Sequence, residues 1–249
     1  MNMPVSIGAK PGAAPSLSTK LRGAVDAAVR PGQERAHAPK GERTRESILR
    51  VAVNLASVEG LEGVTIGRLA DELKMSKSGL FAHFGSKEDL QLATVDAARK
   101  IFIEYVIRPA LASREGMPRL WALCDNWLGH VEQRVFVGGC FFTAASFEFD
   151  SRPGPVRNRI VVVMKEWLGV LSQAMEDARR LGHIKASVAP RQLAFEIYSL
   201  AIGAHWGFQL LGEKNALKNA RFTIRDRLRA VATPKCPTLR RASPKAAAR

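Results

Sequence analysis

The stretch from Gly63 to Leu92, GVTIGRLADELKMSKSGLFAHFGSKEDLQL, constrains this chain more than any other. Ile66, Leu69, Ala70 and Leu73 recur at i, i+3, i+4 and i+7, the spacing of one apolar helical face. Thr65 stands before them as an N-cap. Lys74-Met75-Ser76 reads as a turn, with Met75 as a buried plug and Ser76 capping the next helix. That helix, roughly Lys77 to Phe84, buries Leu80 and Phe84 and turns Lys77, Ser78, Gly79, Phe81 and His83 outward. Gly85 ends it. Ser86 then caps a further helix with Glu88 and Asp89 in its first turn, where free N–H groups favour acids. Two short helices joined by a tight polar turn form a helix-turn-helix, whose second helix lies in the DNA major groove.

The residues Thr65, Leu69-Ala70, Ser76, Leu80-Phe81, His83-Phe84, Ser86-Lys87 and Leu90 together resemble the TetR family of transcriptional regulators. The motif match covers roughly residues 44 to 92, including a preceding helix from Thr44 to about Val58 whose buried stripe is Ile48, Ala52, Leu55 and Ala56. Three positions depart from the family pattern. Phe81 stands where Tyr is usual and loses a hydroxyl contact to phosphate. Lys74 stands where Gly is frequent, so the turn either accepts a non-Gly residue at positive φ or differs in backbone. Gly67 replaces a side chain that reads bases in some members.

The resemblance implies an all-α fold. An N-terminal three-helix helix-turn-helix domain (41–90) joins a larger helical effector-binding and dimerisation domain (91–232). A basic, Gly/Ala/Pro-rich segment (1–40) is expected to be disordered, with a short helix over Leu17 to Val29 considered. A flexible basic tail (233–249) closes the chain and holds Arg240-Arg241-Ala242-Ser243, a chance-level match to a basic kinase site. The expected partners are double-stranded DNA with a palindromic operator, a small apolar or aromatic effector, and a second copy of the chain. Two recognition helices about one DNA turn, roughly 34 Å, apart would read the palindrome. The family is usually repressing, and the effector would act by moving the helix from Lys87 to Arg108.

For DNA contact, Lys77, Ser78 and Gly79 are the residues able to reach base edges: Lys77 donates to guanine, Ser78 to either kind of partner, and Gly79 permits close approach. Phe81, His83, Lys87 and Thr65 bear on the sugar-phosphate backbone, the last two at helix starts. Arg68 serves phosphates or is merely solvated. Arg43 and Arg45 reach the backbone or an adjacent minor groove.

Charge alone does not make this argument. The net charge is +15, yet residues 1–43 supply +4 and residues 233–249 supply +5, while residues 44–90 carry six basic and seven acidic side chains. The ends add non-specific phosphate attraction at most. No apolar run reaches the roughly 18 residues of a membrane span, and no secretory signal is visible, so a cytoplasmic location is expected. Cys124, Cys140 and Cys236 lack metal-ligand spacing and read as free thiols; no metal or cofactor is expected.

Beyond Ser86, the expected stripe of the long helix is Leu90, Ala93/Thr94, Ala97, Ile101 and Tyr105, with Pro109 bending or ending it. A helix starting at Pro118 buries Leu120, Trp121, Leu123, Cys124, Trp127, Leu128 and Val131. Cys140 to Phe149 forms a helix or a strand. A long helix over Val156 to Leu181 follows. From Pro190 to about Leu211 the apolar residues occupy two faces, so one face requires a second cover. Gly203, Ala204 and Gly207 would let a partner subunit approach there. A basic helix, Ala216 to Val231, comes last. In TetR-like proteins the last two long helices build a four-helix dimer interface.

Candidate walls of an effector pocket are Trp121, Trp127, Phe141, Phe142, Phe147, Trp167, Tyr198, His205 and Trp206, each also a candidate for ordinary core packing. Glu148 and His205 are the polar groups placed nearest it. Cys140, after Gly138-Gly139, either faces the cavity or is simply buried. The chain has no convincing triad, paired carboxylates or phosphate-cradling glycine loop, so no enzymatic activity is expected. The competing reading is a helical adaptor with only non-specific DNA affinity.

Overall fold

The structure, a computed structural model, describes residues 40–239. The segment 1–39, with the helix considered over Leu17–Val29, and Arg240-Arg241-Ala242-Ser243 lie outside the described residues. Nine helices run through the described residues: α1 (Lys40–Glu59), α2 (Ile66–Leu73), α3 (Lys77–Phe84), α4 (Lys87–Phe102), α5 (Met117–Glu132), α6 (Phe141–Phe149), α7 (Pro155–Arg180), α8 (Pro190–Gln209) and α9 (Ala216–Val231). α4 runs on through a π-helical turn (Ile103–Ile107) and a last α turn (Arg108–Leu111). The β pairing found among the described residues is one isolated antiparallel bridge, Ile184 to Ala232.

α1 to α3 and the start of α4 enclose a small core of Ile48, Ala52, Leu55, Ala56, Leu69, Ala70, Leu80, Phe84 and Leu90. α1 begins four residues before the expected Thr44. Each short helix is closed by its own chemistry. Thr65 accepts the Arg68 N–H at 3.0 Å, Ser76 that of Gly79 at 3.1 Å, and Ser86 that of Asp89 at 3.0 Å. Lys74 takes the left-handed conformation, φ 53 and ψ 40, so the turn keeps its shape with a non-glycine residue. Met75 is only half-buried, not the sealed plug its position suggests.

α4 corrects the expected stripe. Ala98, Phe102, Val106 and Ala110 are buried, whereas Ala97 and Ile101 are half-buried and Tyr105 is exposed. A four-residue repeat drifts by about 40° per step on an ideal α-helix. The buried stripe steps by four through Leu90, Thr94, Ala98, Phe102 and Val106, so it stands one residue off the expected positions from Ala98 onward, and the wider turn at Ile103–Ile107 takes up part of the drift. Its place is set by Pro109, which has no N–H and whose ring crowds the carbonyl four residues earlier.

The second domain packs α5, buried along its expected face, against α4, α7, α8 and α9. The sequence from Cys140 forms a helix, α6, rather than a strand. α7 ends in a Schellman motif: Gly182, at φ 69, donates to Arg179 O at 2.9 Å and His183 to Ala178 O at 2.8 Å. Arg221 on α9 pairs with Asp125 on α5 at 2.6 Å. Two expectations fail here. Ala204 and Gly207 are buried inside the protomer, a Cβ on Gly207 falling 3.3 Å from the Ala216 Cβ, so they serve α8–α9 packing. Residues 233–239 of the expected flexible tail pack on the domain, with Thr233 donating to the Gly182 carbonyl and Cys236 partly buried. An open groove of about 590 Å³ lies beside them, at Arg179, Ile184, Thr233 and Lys235, with no residue of α6 in its lining.

Candidate functional site

On the outer surface of the first domain, α3 presents Lys77, Ser78 and Phe81 to solvent, with Gly79 and His83 partly covered. Lys77 pairs with no acid among the described residues. A Cβ on Gly79 would stand 3.0 Å from the Ser76 cap oxygen, so a side chain there would press on the cap. The Arg45 guanidinium lies 5.0 Å from the centre of the Phe84 ring, which places a cation from α1 beside the recognition helix. Thr65 is engaged as a cap.

Two of the expected phosphate contacts are held within the chain. Arg68 is gripped by Glu59 at 2.7 Å and Glu72 at 2.8 Å, which pushes its pKa further up. Lys87 pairs with Glu62, whose carboxyl is held below its ordinary range, first of all by that lysine.

In the second domain, an aromatic box forms where α4, α5, α6, α7 and α8 converge. Phe102 meets Trp167 at 5.1 Å between ring centres and Phe142 at 5.8 Å, both edge to face. Trp127 meets Trp167 at 5.3 Å and stacks on Tyr198 at 5.6 Å. These rings, with Cys140, Thr143, Val163 and Met164, line a cavity of about 10 Å³, the space of one water at most. Of the residues expected at the pocket, Trp127, Cys140, Phe142, Trp167 and Tyr198 are there. Phe102, Thr143, Val163 and Met164 were not singled out as pocket residues. Phe102 was hidden by the slipped stripe of α4.

The other candidates are elsewhere. Trp121 is buried on another side of α5, with Arg225 over its ring at 6.0 Å. Phe141 packs on Phe136 and Phe142 behind the box. Phe147 is 64% exposed and Trp206 55%, because both point away from their helix's core face. His205 does not line the cavity but braces it: its Nε2 accepts the Cys140 backbone N–H at 3.0 Å. Burial lowers its pKa to about 4, and the same cause lowers that of His130 to about 4. Burial also raises the Cys140 thiol, which argues against a thiolate sensor.

Glu148 leaves the pocket altogether and joins the two domains. Its Oε2 accepts the Leu61 N–H at 2.7 Å and its Oε1 that of Glu62 at 2.8 Å. Beside it, Gly138 donates its N–H to Ser57 Oγ at 3.0 Å, and a Cβ on Gly138 would fall 1.9 Å from the Ser57 carbonyl oxygen. Gln91 on α4 donates to the Leu61 carbonyl at 3.0 Å. α6 therefore touches the cavity at its first residues and the α1–α2 turn near its last.

Residues 48–94 match the family described as bacterial regulatory proteins, tetR family, and residues 116–224 match the tetracyclin repressor-like C-terminal domain. The HTH-type transcriptional repressor NemR of Escherichia coli K12 is 24% identical over 193 residues, covering 77% of this chain and 95% of that protein. A TetR transcriptional regulator from Chloroflexus aurantiacus shares 25% identity and superposes with a TM-score of 0.72 over 78% of this chain and 98% of that one. AibR, solved with isovaleryl coenzyme A and operator DNA, shares 21% identity with a TM-score of 0.58 over 72% of this chain and 95% of its own. A recognition helix capped and exposed at one end, an aromatic box at the other and two family matches that tile both halves lead to one assignment: the chain is a DNA-binding transcriptional regulator of the TetR family.

Proposed function

We propose that this regulator is a homodimeric repressor that leaves a palindromic operator when a small apolar molecule enters the aromatic box. The observation that carries this is α6, one nine-residue helix whose first residues line the cavity and whose Glu148 holds the backbone of the α1–α2 turn. A ligand that opens the box displaces α6, and the displacement reaches the helix-turn-helix through two hydrogen bonds and the Gly138–Ser57 contact. The ligand moves the equilibrium only by binding the operator-free state more tightly.

Lys77 and Ser78 read base edges, and Phe81 contacts sugar or a thymine methyl. Arg45, His83 and the helix starts at Thr65 and Lys87 bear on phosphates. Arg68 and Lys87 reach DNA only by leaving Glu59, Glu72 and Glu62, so they contribute less than their charge suggests. Dimerisation uses the outward stripe of α8, Phe195, Ile202 and Trp206, with Phe222 of α9; Phe195 and Phe222 are 67% and 66% exposed in the protomer. Gly203 beside them is open to solvent, with nothing within 4 Å of a Cβ placed there.

Selection of bound DNA from a random pool tests this. Enrichment of an inverted repeat with half-sites about one turn apart is expected. Binding without sequence preference at fixed salt would replace the repressor with a non-specific adaptor.

A further inference from the structure

The walls of the aromatic box specify more than apolarity. Trp167 is 4% exposed, and its indole N–H has no acceptor among the described residues. The neighbouring indole is different: the Trp127 N–H is not among the buried groups left without a partner. A buried donor left without a partner is costly, and an acceptor that reaches it recovers that cost. None of the nine lining residues is charged. The titratable groups around them favour neutrality. Burial raises the Tyr198 hydroxyl and the Cys140 thiol, and it keeps the imidazoles of His130 and His205 uncharged at neutral pH. A charged ligand would lose its hydration with no counter-charge to meet. The ring faces are also occupied by one another, Trp127 on Tyr198 and Phe102 edge-on to Trp167, rather than open towards a cation. Met164, half-buried at the wall and unbranched, is the side chain best able to make room.

From this we infer that the box takes an uncharged aromatic carbonyl compound whose oxygen accepts the Trp167 indole N–H. The inference rests on the proposal that this cavity is the effector site, and it names the chemistry of that site. It requires an oxygen acceptor on a flat apolar body, and it excludes carboxylates and quaternary ammonium ions.

Four probes test it on the full-length protein by calorimetry: acetophenone, its isostere ethylbenzene without the carbonyl, benzoate, and choline. Trp167→Phe keeps the ring and removes the donor. It is expected to weaken acetophenone about tenfold and to leave ethylbenzene within about twofold. Trp127→Phe, which removes an N–H that is not such an orphan, should affect the two neutral probes alike. The wild-type protein provides a readout that needs no variant. With acetophenone, one of the four tryptophan indole N–H resonances should move downfield, and with ethylbenzene none should. If both neutral probes bind but neither the variant nor the resonance separates them, the cavity stands as a site and the hydrogen-bond assignment is overturned. If benzoate or choline binds more tightly than acetophenone, the uncharged class is overturned. If none of the four binds, the cavity itself is lost as the effector site, and the inference with it.

Discussion

Glu148 accepts the backbone N–H of Leu61 at 2.7 Å, across 87 positions of sequence and from one domain to the other. The second oxygen takes the next amide, Glu62, at 2.8 Å. Replacing Glu148 with Ala leaves both amides without their acceptor. It should lower the free energy of unfolding by about 1–3 kcal/mol. It should also make operator affinity less sensitive to any molecule that occupies the aromatic box. Urea titration checks the first effect, and an operator titration with and without such a molecule checks the second. An unchanged urea midpoint would show that the contact is idle.

Gly138 is the tightest point between the domains, since an added methyl meets the Ser57 carbonyl at 1.9 Å. A backbone oxygen cannot swing aside as a side chain can. Gly138→Ala should therefore destabilise the protein by about 2 kcal/mol or more, visible as a lowered thermal midpoint. A midpoint within error of the parent would mean the two segments do not pack as described.

Lys77 is the exposed cation at the start of the recognition helix. Lys77→Ala should weaken binding to the selected operator by about 1–3 kcal/mol and relax base preference at one position. A gel-shift titration at fixed salt, against operator and scrambled duplex, measures both. Equal loss on both duplexes would reassign Lys77 to phosphate contact.

Burial lowers the pKa of His130 from 6.5 to about 4, and burial lowers that of His205 to about 4 as well. The unfolded chain then takes up protons first as the pH falls. Stability is full above about pH 6.5 and declines towards pH 4, in the opposite sense to a histidine paired with an acid. For fully buried His130 the decline should be about 2 kcal/mol by about pH 5, before most carboxylates titrate. Urea midpoints at about pH 7.5 and 5 report it. A flat profile across that window would contradict the burial of neutral imidazoles.

Trp206, 55% exposed in the protomer, lies on the stripe proposed to meet a second copy. Trp206→Glu should leave each protomer helical and dissociate the dimer at micromolar concentration, read by sedimentation velocity. A dimer that survives the change would move the interface elsewhere.

The helix-turn-helix was legible because its signals are local. Thr65, Ser76 and Ser86 sit three residues before the amides they cap, and the bounds of α3 agree with those read from its caps. The cavity was only partly legible, because its walls come from five helices far apart in sequence. Trp127 and Trp167 gave themselves away as large aromatic residues. Phe102 did not, because the buried stripe of α4 steps by four residues, from Thr94 to Ala98 to Phe102, off the 3.6 period used to read it. Phe147 and Glu148 were misplaced for a related reason. Periodicity says which residues share a face but not what that face meets, and the face of Glu148 meets a turn 86 residues away.

The broadened turn at Ile103–Ile107 keeps the buried stripe of one rod continuous from the helix-turn-helix to its far end. Leu90 and Gln91 answer to the helix-turn-helix, while Phe102 answers to the aromatic box and Val106 and Ala110 lie buried beyond it. Loss of a single residue there would turn everything beyond it by about 100° while leaving the recognition end untouched. The number of residues in that one coil thus fixes how the two halves of this regulator are turned about their shared rod.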